Sequence, residues 1–296
     1  MSTTLALATG ARTRDLVGAR IGRSAALLNP TPAQQPVAVI GRGRLASGIA
    51  ERLLDHDFEV RVWNRSPTRA RRLAVLGARV TSTPAEAASG AGALLLCASG
   101  SEDLRAALHG PGGVLAEDTV HGVLVCMSAV SPQEVKALAL MTDAVVDVGV
   151  LGTANQARAG RLQLYTGGRW KEVREIARIL DPLAHRVKHV GPLGAGTLVK
   201  LLSSVWHEVG VQLIAELSAL GGAAGLSQSV VAEALRETDV GEPVLASEAV
   251  WQDHKRVRTA SAVSPLAAAV AEADRSDLPL PLVRRASQTA APSAGS

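Results

Sequence analysis

Residues 37–66 read VAVIGRGRLASGIAERLLDHDFEVRVWNRS, and their order decides the fold. A short apolar run, Val37 to Ile40, leads into Gly41-Arg42-Gly43-Arg44-Leu45-Ala46. Apolar residues then recur at helical spacing (Leu45, Ile49, Leu53) before a second run from Phe58 to Trp63. Strand, glycine turn, helix and strand in that order open a dinucleotide-binding unit. Gly41 permits the tight turn off the strand, Gly43 lets a pyrophosphate approach the backbone, and Ala46 lets helix and sheet pack closely. Gly41, Gly43, Arg44 and Leu45 are therefore the expected diphosphate contacts. They lie at a helix start whose free N–H groups and dipole favour negative charge.

The end of the second strand bears on which dinucleotide is bound. A carboxylate about 20 residues past the glycines would hold the ribose 2′-hydroxyl of NAD. This chain instead offers Asn64, Arg65 and Ser66, followed by Thr68 and Arg69. Two guanidiniums and two hydroxyls suit a 2′-phosphate. A solvated basic turn is the bland alternative. The reading favours NADP(H), with Asn64, Arg65, Ser66 and Arg69 as its contacts.

At 296 residues the chain suits one large or two modest domains. Hydrophobic residues make up 47%, yet no uninterrupted apolar run is long enough to span a membrane. Net charge is only +4, with lysines and arginines dispersed among acids, and aromatics are 2%. That leaves neither a basic stripe nor a stacking surface for nucleic acid. Cys97 and Cys126 both sit in apolar runs and read as buried free thiols in a reducing, cytoplasmic setting; no metal-ligand spacing exists. Residues 1–35 carry four arginines and one acid and are expected to form a disordered extension. Residues 286–296, rich in Ala, Ser and Pro, are expected to be a loose tail.

Between these ends, apolar strand candidates alternate with capped helices. Ser66-Pro67, Thr83-Pro84-Ala85-Glu86 and Ser131-Pro132-Gln133-Glu134 each have the order of a helix start. Trp170 to Leu183 reads as one further helix. Strands are expected at Arg79 to Ser82, Ala93 to Ala98, Gly122 to Met127, Val145 to Leu151, Leu162 to Thr166 and Val187 to Val190. Such alternation predicts a parallel sheet covered on both faces. From Gly194 to Gly225 the chain turns helical throughout, with Leu198, Leu201, Leu202, Val205, Val209, Leu213, Leu217 and Leu220 forming a broad apolar stripe. Helices follow at Ser227 to Arg236, Pro243 to Trp251 and Leu266 to Ala273. The expected fold is α/β: a Rossmann-type parallel-sheet domain (36–193) joined by a long interdomain helix to an all-helical domain (194–285). The exposed stripe predicts a homodimer.

Five stretches together resemble the β-hydroxyacid dehydrogenases and their relatives the imine reductases, built on the 6-phosphogluconate dehydrogenase plan. They are VAVIGRGRLASGIA, VWNRSPTRARRL, Met127-Ser128-Ala129-Val130-Ser131-Pro132, DVGVLGTANQARAGRLQLYTGG and HVGPLGAGTLVKLLSS. The resemblance spans Pro36 to Val283. It implies that Lys200 is the catalytic lysine, its ammonium polarising or protonating a carbonyl as hydride arrives. Ser204, on the same helix face, stands where the family usually has a substrate-holding Asn, and Ser203 is its neighbour. The resemblance also implies Cys97, Ala98, Ser99 and Ser128 beside the cofactor, and Leu151, Gly152 and Thr153 along the substrate. His207, seven residues past Lys200, shares its face.

The chain departs from the family pattern at four places. Leu151 replaces a carboxylate-binding Ser, Ala129 a Thr, Ser204 the Asn, and Ser264-Pro265 a Lys-Asp pair. A carboxylate substrate would lose partners there, and an underpaired buried charge is costly. The expected activity is therefore NADPH-dependent reduction of a less polar carbonyl or imine. A hydroxyacid dehydrogenase and a catalytically silent NADP-binding protein are the alternatives. Trp206 walls a hydrophobic site if the helix turns it inward.

Overall fold

The computed structural model describes residues 35–41, 43–115, 122–237 and 264–290. Arg42, His121, His254, the expected helix at Pro243 to Trp251 and the N-terminal extension up to residue 34 lie outside them. An eight-stranded sheet runs β1 (Val37–Ile40), β2 (Val60–Trp63), β3 (Arg79–Val80), β4 (Ala93–Leu96), β5 (Val123–Cys126), β6 (Val145–Leu151), β7 (Leu162–Gly168) and β8 (Ala184–Gly191) in chain order. In space the order is β3-β2-β1-β4-β5-β6-β7-β8. The chain leaves β1 toward β2 and β3, then returns past it to β4. The crevice beyond the carboxyl ends of β1 and β4 is thus a topological switch point, where such sheets take ligands.

Side chains alternate across the strands and feed two cores. On one face Val37, Val39, Leu95 and Val125 pack with Ile49 and Leu53 of α1 (Arg44–Leu54) and Leu73 of α2 (Pro67–Val75). On the other, Ala38, Ile40, Leu94 and Leu124 meet α3 (Pro84–Ala88), α4 (Ser101–His109) and α5 (Pro132–Leu138). Local caps set these helix starts. Thr83 accepts from the Glu86 N–H, and Ser131 with Glu134 forms a reciprocal capping box. Ser66 occupies the cap position of α2, but its hydroxyl makes no capping bond.

The sheet is not parallel throughout. β1 to β6 are parallel, but β7 pairs antiparallel with β6, and β8 runs parallel to β7. The cause is the length of the β6–β7 connection. A parallel return needs a dozen or more residues with a covering helix, whereas residues 152–161 hold only the five-residue α6 (Ala154–Arg158). That helix was not foreseen, although Thr153 and Gln156 form a full capping box for it. α7 (Trp170–Glu175), α8 (Ala177–Leu180) and a 3-10 turn (Asp181–Leu183) replace the single helix expected over Trp170 to Leu183.

α9 (Ala195–Ala223) is 29 residues long, on the order of 43 Å at ~1.5 Å per residue. It lies across β6, β7 and β8 at its start and carries α10 (Gln228–Arg236), α11 (Pro265–Arg275) and α12 (Pro281–Ala290) farther along. The described part of the chain after β8 is helical. α12 also corrects the expectation of a loose tail from residue 286: helix continues to Ala290. Its Ala286 is buried, and Gln212 of α9 donates to the Ala286 carbonyl at 3.4 Å and accepts from Thr289 at 3.3 Å. Gln133 of α5 donates to Glu272 of α11 at 2.7 Å, tying the helical part to the sheet domain.

The start of α9 touches the sheet without intervening side chains. A Cβ placed on Gly149 of β6 would fall 2.0 Å from the Gly196 carbonyl oxygen, and one on Gly196 would fall 2.2 Å from that of Tyr165. Backbone meets backbone here, so nothing flexible can yield. Gly149→Ala is expected to destabilise the protein by about 3 kcal/mol, the upper end of core overpacking, read as a lowered urea midpoint with unchanged slope.

Candidate active site

The glycine turn follows β1 directly. Gly41 is enclosed, since an added Cβ would lie 2.5 Å from the Cys97 carbonyl oxygen. Around Gly43 the space is open, its nearest neighbour to such a Cβ being the Leu45 nitrogen at 3.9 Å. α1 starts at Gly43 with no side-chain cap and no acid in its first turn. Its orphan N–H groups are therefore available to an anion. Arg44 is exposed, while Leu45 is half-buried against the core.

At the end of β2, Asn64 is buried and its Oδ1 accepts from the Ser66 N–H at 2.9 Å, which folds the turn. Its Nδ2 is buried with no partner among the described residues. An orphan donor, an uncapping Ser66 hydroxyl and the exposed Arg65 and Arg69 together fit a phosphorylated ribose. The adjoining cleft is lined by Ile40, Gly41, Trp63, Arg65, Leu96, Ala98, Asp103, Leu104 and Ala107. It is apolar between two charged rims and suits an adenosine.

Sequence reasoning missed Asp103. It lies in the first turn of α4, and Arg65 Nη1 is 3.8 Å from its Oδ1. The turn after β2 itself holds no carboxylate, and Asp103 brings one to the Arg65 guanidinium from across the cleft. The acid comes from α4, beyond β4, which no count along β2 could reveal.

Past β4, Cys97 backs the glycine turn with its main chain while its thiol is buried. Desolvation, with a further contribution from Cys126, pushes that thiol up to about 12. Ala98 and Ser99 are half-buried at the crevice. The Ser128 hydroxyl donates to the Leu96 carbonyl at 2.9 Å and accepts from the Ala98 N–H at 3.0 Å. Its role is to pin the ends of β4 and β5 together, which shapes the crevice floor.

Lys200 projects from the second turn of α9, and its position is set from β6. Asp147, completely buried, accepts from the Gly194 N–H at 2.7 Å and from the Thr197 N–H at 2.6 Å. A carboxylate from a strand thus does the work of an N-cap. The sequence signal was an acid inside an otherwise apolar strand, VVDVGVL. Gly149, two residues on, lies under the lysine, its hypothetical Cβ 3.4 Å from Lys200 Cβ. Burial holds the Lys200 ammonium below the usual lysine range. His207 is half-buried on the same face, lowered first by burial and then by the Lys200 charge. Ser203 and Ser204 are also half-buried.

Leu151 ends β6, half-buried, and Gly152 follows at φ +136 with its would-be Cβ 2.7 Å from Leu162. The Thr153 oxygen accepts from the Gln156 N–H at 3.3 Å. That oxygen serves as a cap acceptor, while the hydroxyl proton stays able to donate. Trp206 does not wall the site: it is 62% exposed, turned outward beside Leu202. His189 stacks at a tilt on Trp170, and His185 bonds the Arg161 carbonyl, so both have structural roles.

A lysine whose folded-state pKa is lowered binds fewer protons folded than unfolded. Stability contributed by removing it is thus greatest below the lowered pKa and fades as pH rises to the ordinary lysine range. Lys200→Met is expected to raise the melting temperature near neutral pH by roughly 2–4 °C, the response to about 1 kcal/mol in a chain of this size. Thermal melts should show the gain narrowing as pH rises towards the ordinary lysine range.

Residues 36–191 match the family model for the NAD binding domain of 6-phosphogluconate dehydrogenase. The mitochondrial 3-hydroxyisobutyrate dehydrogenase of Mus musculus is 25% identical over 220 residues, covering 73% of this chain and 66% of that protein. The chain therefore spans just under two thirds of that relative's length. In solved structures the fold is shared with a 3-hydroxyisobutyrate dehydrogenase from Salmonella typhimurium (TM-score 0.74, 22% identity, 85% of this chain and 91% of that one). It is shared too with a Streptomyces aurantiacus imine reductase (TM-score 0.60, 21% identity, 85% and 91%). No helix among the described residues is long and apolar enough to cross a membrane. With more than half of its length matched, the chain belongs to the family defined by the NAD-binding domain of 6-phosphogluconate dehydrogenase.

Proposed function

We propose that the protein is an NADPH-dependent oxidoreductase that reduces the carbonyl or imine carbon of a small, relatively apolar substrate. The observation that carries this reading is the half-buried Lys200, held over Gly149 at the same carboxyl edge of the sheet as the glycine turn. When bound, the reduced nicotinamide supplies the hydride. The chain supplies everything else. The open face of Gly43 and the N–H groups of α1 receive the diphosphate, and Asn64, Arg65, Ser66 and Arg69 receive the 2′-phosphate. The Lys200 ammonium hydrogen-bonds the substrate heteroatom and delivers a proton as negative charge or a lone pair develops there. Its partial desolvation makes that proton easier to give up.

Leu151 brings no donor for a carboxylate to the end of β6, which supports the apolar substrate. A β-hydroxyacid dehydrogenase acting on a small carboxylate is the second reading, favoured by the glycine turn at Gly152 (φ +136) and by relatives such as the mouse enzyme. Coenzyme oxidation with a panel of aldehydes, ketoacids and cyclic imines separates the two. Lys200→Ala is expected to lower kcat by about 10²–10⁴, the usual worth of a proton donor, with NADPH affinity kept. Turnover equal to wild type in that variant would remove Lys200 from the chemistry. Tight coenzyme binding with no turnover on any substrate would mark a silent binding protein.

The functional unit is a homodimer. Leu202, Trp206, Leu213 and Leu220 are all more than half exposed and share one face of α9, an apolar stripe along most of its length. Two copies laid along their α9 helices bury it. Light scattering should report a dimer for the wild type and a monomer for Leu213→Glu.

A further inference from the structure

Arg65 and Asp103 come from opposite sides of β1. Arg65 follows β2 and Asp103 sits in the first turn of α4, after β4, so the pair straddles the carboxyl end of β1 at the switch point. Their charged atoms approach to 3.8 Å across a cleft floored by Trp63, Ala98 and Leu104. Arg65 is half exposed, whereas the Asp103 side chain is 13% exposed. The carboxylate is therefore the fixed member and the guanidinium the movable one.

We propose that Asp103 is a specificity residue that restrains the preference of this site for a 2′-phosphate and preserves binding of coenzyme lacking it. This rests on the coenzyme site proposed above. A ribose 2′-hydroxyl can donate to the Asp103 carboxylate while Arg65 keeps its partner. A 2′-phosphate dianion instead competes with Asp103 for the Arg65 guanidinium and brings a second anion to the carboxylate's side of the cleft, where like charges repel. The basic turn Asn64-Arg65-Ser66 and the acid on α4 thus pull coenzyme choice in opposite directions.

Binding isolates this effect from catalysis. Calorimetry with adenosine 2′,5′-bisphosphate and with AMP, then with NADPH and NADH, should be run on the full chain and on Asp103→Asn and Asp103→Ser. Thermal melts confirm folding of each variant. Both substitutions are expected to tighten the 2′-phosphorylated nucleotides about three- to fivefold relative to their partners, the size of an exposed charge interaction. The gain should shrink in 0.5 M salt, on the order of the screening expected at that strength. An unchanged ratio, or one moved toward AMP and NADH, overturns the proposal while leaving the coenzyme site intact. Failure of the wild type to bind any of the four nucleotides ends the coenzyme reading, and this inference with it.

Discussion

Two hydrogen bonds from Asp147 hold the long helix to the sheet. Each joins a buried carboxylate oxygen to an N–H in the first turn of α9, so an otherwise costly buried charge is satisfied by orphan donors and the helix dipole. The contact fixes both the height and the rotation of α9. Gly149, Gly167 and Gly196 clear the way for it, since each would place a Cβ into main chain or into Asp147 itself. Lys200, less than two turns along, inherits its place over β6 from that anchor. Everything carried by α9, including the docked α11 and α12, is oriented by the same junction.

The short β6–β7 connection has an equally concrete effect. It reverses the strand direction and sets α6 against the coenzyme helix α1. A Cβ on Gly48 would lie 2.6 Å from the Ala154 carbonyl, so the two helices meet at backbone distance. Glu51 of α1, 7% exposed, is gripped there by Arg158 from α6 and by Arg72 from α2. The segment expected to border the substrate is thus braced on the segment expected to cradle the diphosphate.

Features encoded locally were legible in the sequence. The apolar run before Gly41, the caps at Thr83 and Ser131, and the periodicity of α9 all depend on residues within a few positions of one another. They appear in the structure where the pattern puts them. What depended on distant partners was not legible. Asp147 pairs with groups 47 and 50 residues away, and Asp103 reaches Arg65 only because β4 sits beside β1. The direction of β7 followed from loop length, which the alternation of strands and helices conceals. Trp206 was ambiguous because the stripe on α9 has both a covered and an uncovered side, and only packing separates them.

The chain's two cysteines lie at the carboxyl ends of neighbouring strands and in opposite cores, Cys97 just past β4 at 6% and Cys126 closing β5 at 0% exposure. Burial pushes their thiols up to about 12 and about 11, so thiolate is scarce at neutral pH. Electrophiles and oxidants meet neither sulfur until the strands separate. The protein carries an internal reporter of its own opening: the rate at which its thiols are alkylated measures how often the centre of the sheet comes apart.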